Sequence, residues 1–328
     1  MDGQATRELA GPGVSSWPGL TGLRPLREGA NIRTWIGFKH FMYLAEEAVL
    51  AWFRERDLGP SRLYHEFGLG FTIAESSVQL PAVLDVDDVV DCEVSGGPDR
   101  FTVRLRARRP GSPCVLLGKV RVALVREAEA AEAAEAAGPA PAPVPVPAIV
   151  ARLAVDSVAD VGLPGRADLI VAPGAAPADV AAAEPGAFCW SWRIPYFYCQ
   201  FSGRMQHSGH VRAMEEVVDR FLADRGLSVG TLLTERGWIP VVSRAKVSLL
   251  ADAFMEETLL TVLTVTDVLK GVSFDARMDC YADRGSRLVH VATGRILHAY
   301  AIARGPGAGG LAELDQATID ALTRGNRG

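Results

Sequence analysis

The sequence has little of what several function classes require. Its five cysteines, Cys92, Cys114, Cys189, Cys199 and Cys280, are an odd, scattered set with no CxxC pair and no zinc spacing. That argues against a cysteine zinc site or a disulfide framework, and it reads as reduced thiols in a cytoplasm. There is no basic excess: 34 Lys and Arg stand against 39 Asp and Glu, for a formal net charge of −5. Without a basic stripe or an aromatic-plus-Arg cluster, nucleic acid is not an expected partner. No uncharged apolar run reaches the roughly 18 residues that span a bilayer. The opening "MDGQATRELAGPGVSSWPG" lacks an apolar core of signal-peptide length. A soluble, cytoplasmic protein that engages no membrane is the expectation. Ser76-Ser77 and Ser243 lack a Gly-x-Ser-x-Gly context, so they do not indicate a serine-hydrolase elbow, and no phosphate loop stands out.

What is present is a chain of 328 residues with 48% apolar and 22% charged residues, room for two medium domains. A spacer, "EAEAAEAAEAAGPAPAPVPVPAIV" from Glu127 to Val150, divides it near the middle. Its Ala/Glu half can continue as helix. Its proline half cannot, because each proline lacks an N–H and fixes φ. The two halves are copies of one unit. With an offset of 169 positions, "TWIGFKHFMYLAEEAVLAWFRERDLGPSRLYHEFGLG" from Thr34 falls on "GRMQHSGHVRAMEEVVDRFLADRGLSVGTLLTERGWI" from Gly203 without a gap. Glu46 meets Glu215, Glu47 meets Glu216, Val49 meets Val218, Leu63 meets Leu232 and Gly68 meets Gly237. After a small insertion, "GKVRVALV" from Gly118 falls on "GRILHAYA" from Gly294. A matched apolar pattern along with these identities indicates a duplicated domain.

Each copy reads as a short strand, one long helix and four antiparallel strands. In the first copy Phe41, Leu44, Ala45, Ala48, Val49, Trp52 and Phe53 recur at helical spacing over a wide apolar arc, so the helix is wrapped. It is expected to stop near Gly59-Pro60. Strand-like runs follow, "GFTIAESSVQLPAVL" to "CVLLGKVRVALVRE" and "IPVVSRAKVSLLADAF" to "RLVHVATGRILHAYAIA", separated by Gly/Asp turns. This is an α+β plan. The expected layout is a weakly ordered N-terminus over 1–20, a first domain over 21–127, a linker and connecting segment over 128–185, a second domain over 186–304, and a peripheral Gly-rich tail over 305–328.

A buried helix wrapped by a curved antiparallel sheet resembles the hotdog fold, and the residues resemble its 4-hydroxybenzoyl-CoA thioesterase-like branch. That branch carries an acidic or amide residue, then Gly-His-Val-Asn, a Tyr-Leu, and Glu-Glu-Ala on the helix. Here "NIRTWIGFKHFMYLAEEA" has Asn31 at the acidic position, Thr34-Trp35 for Gly-His, and Glu46-Glu47-Ala48. "QFSGRMQHSGHVRAMEEV" has Gln200 at that position, Gly203-Arg204 for Gly-His, and Glu215-Glu216. Neither copy keeps the usual Asp or His. Two joined hotdogs would mimic the homodimer of single-domain members, as in plant acyl-carrier-protein thioesterases. The resemblance implies intramolecular hotdog pairing, allows a further homo-oligomer, and implies no cofactor.

The resemblance implies hydrolysis of an acyl-CoA or acyl-carrier-protein thioester. Such chemistry needs a base or orienting group and donors for the developing oxyanion, which a helix N-terminus can offer. These N–H groups lie around Trp35 to Phe38, where Gly37 allows close approach, and around Arg204 to His207. Trp35, Gly37, Phe38, Arg204 and His210 are therefore candidate substrate contacts. Asn31 and Gln200 are candidates to orient water or bind the carbonyl, although either can simply cap or brace a turn. Glu46 and Glu215 lie nearer the apolar arc than Glu47 and Glu216, so burial could raise their pKa and make either a base. His207 is the candidate imidazole base of the second copy, while His210 replaces Phe41 and reads equally as core. His207, His210 and Glu215 do not share a face and lack a His-Glu-x-x-His pattern, so no metal is expected. Trp190, Trp192, Tyr196 and Tyr198 are further candidates to line an acyl or aryl pocket. Two alternatives stay open: a non-hydrolytic acyl-binding module, and a dehydratase acting on a β-hydroxyacyl thioester through His207 and Glu46.

Overall fold

A computed structural model of the chain describes residues 16–17, 19–129 and 145–325. The first part of the expected weakly ordered N-terminus and the centre of the Ala/Pro spacer lie outside the described residues. The central helix of the first copy, α1, spans Phe38–Arg54 and buries Phe41, Ala45, Ala48, Val49, Trp52 and Phe53, as the apolar spacing requires. It stops at Arg54, earlier than expected. Gly59 and Pro60 do not end it; they start a second helix, α2, Pro60–Phe67, with Pro60 in its first turn. Proline suits a helix start because its missing N–H would have been unpaired there anyway.

Four strands complete the first copy: β2 Leu69–Gln79, β3 Val90–Gly96, β4 Arg100–Ala107 and β5 Cys114–Arg126, after a two-residue β1, Ser16–Trp17. The connecting segment is not bare linker. It holds α3 Ala148–Leu153, β6 Ala154–Val155, β7 Leu169–Ile170 and α4 Pro177–Ala181. The second copy repeats the plan: β8 Phe188–Arg193, the central helix α5 His207–Asp224, α6 Val229–Arg236, then β9 Trp238–Leu249, β10 Thr258–Leu269, β11 Ser273–Asp283 and β12 Arg287–Ile302. The tail also departs from expectation. A helix, α7 Gln316–Leu322, docks through buried Leu322 and Thr318, and Ala312 and Leu314 are buried ahead of it. Apolar residues spaced through the Gly-rich segment hold it down.

The strands form one twelve-stranded sheet in the order β1-β3-β4-β5-β2-β9-β12-β11-β10-β8, with β6 paired to β5 and β7 to β12. The copies join in the middle, where β2 and β9 run antiparallel. In that register Ser77 faces Lys246, its own equivalent at the offset of the repeat. The helices meet about the same axis: Arg212 Nε donates to the Tyr43 hydroxyl at 2.6 Å, again between residues 169 apart. A residue that meets its own counterpart marks a two-fold relation. The duplicated halves thus pack as the two subunits of a symmetric dimer would.

Candidate active site

The loop before α1 is built by backbone hydrogen bonds. Asn31 N–H donates to Trp35 O at 2.7 Å, Gly37 N–H to Gly29 O at 2.8 Å, and Ile36 N–H to Leu84 O at 2.8 Å. His40, buried on α1, holds the loop from below. Its Nε2 lies 2.5 Å from Glu28 Oε2, and its ring leaves no room for a side chain at Gly29, where an added Cβ would meet it at 2.7 Å. The loop delivers Gly37 as the N-cap of α1, with no side chain capping the helix. His40 N–H turns back to Gly37 O at 3.1 Å, which leaves the Phe38 and Lys39 N–H groups open to a ligand at the positive end of the helix dipole.

Helix α5 of the other copy faces this end. A Cβ added at Gly37 would lie 3.5 Å from Glu215 Oε1 and 3.8 Å from Asn31 Cβ. Lys39 Nζ meets Glu215 Oε2 at 2.9 Å, with both side chains partly exposed. Asn31, Trp35, Gly37, Phe38, Lys39 and Glu215 line a cavity of about 700 Å³, whose far walls are Val241 and Val242 of β9 and Ile296 to Ala299 of β12. The tail contributes Gly309 and Leu311. A cavity of this volume is in the range of small-molecule sites, and its mouth gathers an amide, a carboxylate, an ammonium and a helix N-terminus.

The symmetric place in the second copy has the same backbone and different side chains. Cys199 bridges Met205 as Ala30 bridges Ile36, and Gln206 N–H donates to Tyr198 O as Gly37 does to Gly29. Gln206, however, stands where the first copy has Gly37. Its side chain is buried and accepts from Thr72 Oγ1 at 3.2 Å. His207 stands where the first copy has Phe38, and its Nε2 is 2.8 Å from Ser76 Oγ. Arg204, at the Trp35 position, is 6% exposed and ion-paired with Glu127 and Asp252, each at 2.8 Å. Gly70 makes room for this network, since a Cβ there would collide with Glu127 Oε1 at 2.0 Å. Polar side chains of the second copy thus take up the space that the first copy leaves to a ligand.

Five sequence candidates, Asn31, Trp35, Gly37, Phe38 and Glu215, come together at the cavity. The other five do not line it. Gln200 braces a turn, 3.3 Å from Ser208 Oγ, and Arg204 is spent on its ion pairs. His207 and His210 are buried, and burial pushes their pKa down to about 3 and about 4. A neutral, enclosed imidazole tied to Ser76 does not serve as the base expected of His207. Glu46 is the counterpart of Glu215, but Ser208 stands at the Lys39 position. Glu46 has no hydrogen-bond or ion-pair partner among the described residues, and burial, helped by Glu47, raises its pKa to about 7. The aromatic candidates divide in the same way: Trp190 stacks on Trp192 at 4.9 Å, Tyr196 is exposed, and none of Trp190, Trp192, Tyr196 and Tyr198 lines the cavity.

Comparison with known proteins agrees with this architecture. Residues 195–315 match the model of the Thioesterase-like superfamily. No curated protein matches the sequence significantly. Among solved structures, a putative oleoyl thioesterase from Lactobacillus plantarum is similar over 88% of this chain and 97% of its own, with a TM-score of 0.53 and 9% identity. An acyl-ACP thioesterase from Bacteroides thetaiotaomicron VPI-5482 covers 87% of this chain and 97% of its own, at TM-score 0.51 and 8% identity. The 12:0-ACP thioesterase from Umbellularia californica covers 89% and 99%, at TM-score 0.50 and 10% identity. At such identities the likeness is one of fold, and it extends across both halves.

Proposed function

We propose that this tandem-hotdog chain, whose second half matches the Thioesterase-like superfamily, is an acyl-thioesterase with one working site, at the start of α1. The observation that carries the reading is Glu215. It reaches across from the other copy to the uncapped N-terminus of α1, inside a cavity with apolar walls. A thioester carbonyl oxygen set against the Phe38 and Lys39 N–H groups would receive their hydrogen bonds and the positive helix end as negative charge develops. Asn31 cannot take a proton, so its part is to orient water or the carbonyl. The Glu215 carboxylate takes the proton from water as oxygen adds to the carbonyl carbon. The C–S bond then breaks, the thiolate leaves and collects that proton, and a free acid remains. Lys39 holds Glu215 in place across the interface.

The substrate class is an acyl-CoA or an acyl-carrier-protein thioester, in a cytoplasmic setting. Support for the carrier-protein form comes from the full-length likeness to proteins described as acyl-ACP thioesterases. Two observations favour a second reading, a non-hydrolytic acyl-binding module: Asn31 is neutral, and Glu215 is already paired with Lys39. The dehydratase alternative needs an imidazole free to move a proton, and His207 is bonded to Ser76 and buried. Intact-mass monitoring of acyl-CoA and acyl-carrier-protein thioesters tests these readings together. Free thiol and free acid from at least one thioester support hydrolysis. Ligand binding without turnover across a broad panel overturns it in favour of the binding module, and loss of water from a β-hydroxyacyl thioester in favour of a dehydratase.

A further inference from the structure

The inner wall of the cavity holds a polar group with nothing to bond. Among the described lining residues, His298 is the buried polar side chain, 3% exposed. Its Nδ1 has no hydrogen-bond partner. The side chains around it are apolar or aromatic: Val242 pairs with it on β9, the Phe274 ring lies 4.8 Å away, and the Tyr300 ring lies 5.5 Å away in an edge arrangement. A buried nitrogen left unbonded costs more than an apolar atom of the same shape would.

The repeat shows that the fold does not need a histidine here. On β9 a register shift falls opposite Leu297 and His298. On β2 the equivalent shift falls beside Ile73, which pairs with Val122. The twin of His298 is therefore Val122, buried and aliphatic. Backbone, bulge and burial are shared, and only the side chain differs. The difference lies in the copy whose strands wall the open cavity. Burial pushes the His298 pKa down to about 4, so near neutral pH the ring offers one N–H donor and one lone pair.

We propose that the acyl group taken by this cavity carries an oxygen along its chain, as a hydroxyl or an oxo group, and that His298 reads it by hydrogen bonding. This rests on the cavity being the acyl site. His298 is then a specificity residue: it rejects a plain alkyl chain, which would leave the imidazole unbonded, and accepts an oxygenated one. Ordinary aliphatic packing, as at Val122, would have favoured the plain chain.

The test uses CoA thioesters matched in chain length, plain against hydroxyl- or oxo-substituted at successive positions. Thiol release is measured for the wild type, His298→Leu and His298→Gln. The wild type is expected to favour one oxygenated member by about tenfold or more in kcat/KM. His298→Leu levels or reverses that preference, while His298→Gln, which can still hydrogen-bond, retains part of it. A wild type that prefers the plain chain at every position, or a preference that survives His298→Leu, overturns the proposal. If no thioester releases thiol, the hydrolase reading fails separately, and the thermal shift given by the matched free acids decides. A larger shift with an oxygenated acid, lost in His298→Leu, supports the proposal; equal shifts contradict it.

Discussion

Lys39 and Glu215 form an ion pair across the two copies, 2.9 Å apart, that their symmetry mates Ser208 and Glu46 do not form. The axis that passes between Tyr43 and Arg212 makes the two sites equivalent in backbone. The side chains break the equivalence. One site keeps a glycine, a carboxylate and an ammonium around a cavity. The other keeps a carboxylate alone beside buried glutamine and histidine.

The unpartnered carboxylate gives a pH prediction. Glu46 has its pKa raised to about 7 in the folded state by burial. A raised carboxyl favours the folded state most where it is protonated in both states, below the unfolded pKa. That contribution is lost as pH rises through about 7. Glu46→Gln should therefore raise the melting temperature at pH 8 by about 2–4 °C and leave it little changed at pH 4. Thermal unfolding at the two pH values measures this. An equal effect at both would mean Glu46 is solvated.

The buried histidines act in the opposite direction. His207 and His210 have their pKa pushed down to about 3 and about 4 by burial. Their contribution is present above an unfolded value near 6.5 and is lost as pH falls through the folded values. Chemical denaturation should show stability declining as pH is lowered from 6.5 toward 4. His210→Phe, which restores the residue type at the equivalent position, should flatten that decline by up to about 3 kcal/mol at its acid end. An unchanged slope would contradict the assignment.

The closed site should be structural. Arg204 is paired with Glu127 and Asp252 in a nearly dry setting, where burial raises the Glu127 pKa against the opposing pull of Arg204. Removing one member leaves an uncompensated buried charge. Arg204→Met is expected to cost about 3–5 kcal/mol in urea unfolding, with kcat/KM at the remaining folded protein unchanged. A large activity loss with normal stability would move the working site to the second copy.

The open site can be closed by copying its twin. Gly37 is an N-cap with φ −70°, a conformation any residue adopts, and a Cβ there meets nothing nearer than 3.5 Å. Gly37→Gln should fold normally. Its side chain would then occupy the place where a carbonyl oxygen must approach, as Gln206 does in the second copy, and activity should fall by about tenfold or more. Full activity in the variant would show that the start of α1 is not where the thioester binds.

Much of this was legible from residue spacing. The wide arc of Phe41, Ala45, Ala48, Val49 and Phe53 dictates a wrapped helix, and the gapless offset between Glu46 and Glu215 dictates two copies of one unit. Which copy holds the proposed site was not legible from carboxylates and histidines, because both copies have them. The asymmetry lies in Gly37 against Gln206 and Lys39 against Ser208. The same alignment contains those differences, but they acquire meaning only once α5 is known to lie across the start of α1. His298 against Val122 was visible too, yet an isolated histidine in a strand carries no signal until the strand is seen to wall a cavity. Gly59-Pro60 misled because the pair serves helix starts as well as stops. The tail was underestimated because its few apolar residues, Leu314 and Leu322 among them, are diluted by glycine.

The central claim is that Glu215, and not its twin Glu46, does the chemistry. Thiol release from an acyl thioester turned over by the wild type should be compared for Glu215→Gln and Glu46→Gln side by side. Glu215→Gln should lose about 100-fold or more in kcat with its melting temperature preserved, as expected when a general base is removed, while Glu46→Gln should stay within about twofold of the wild type. Equal losses, or a loss confined to Glu46→Gln, would contradict the account.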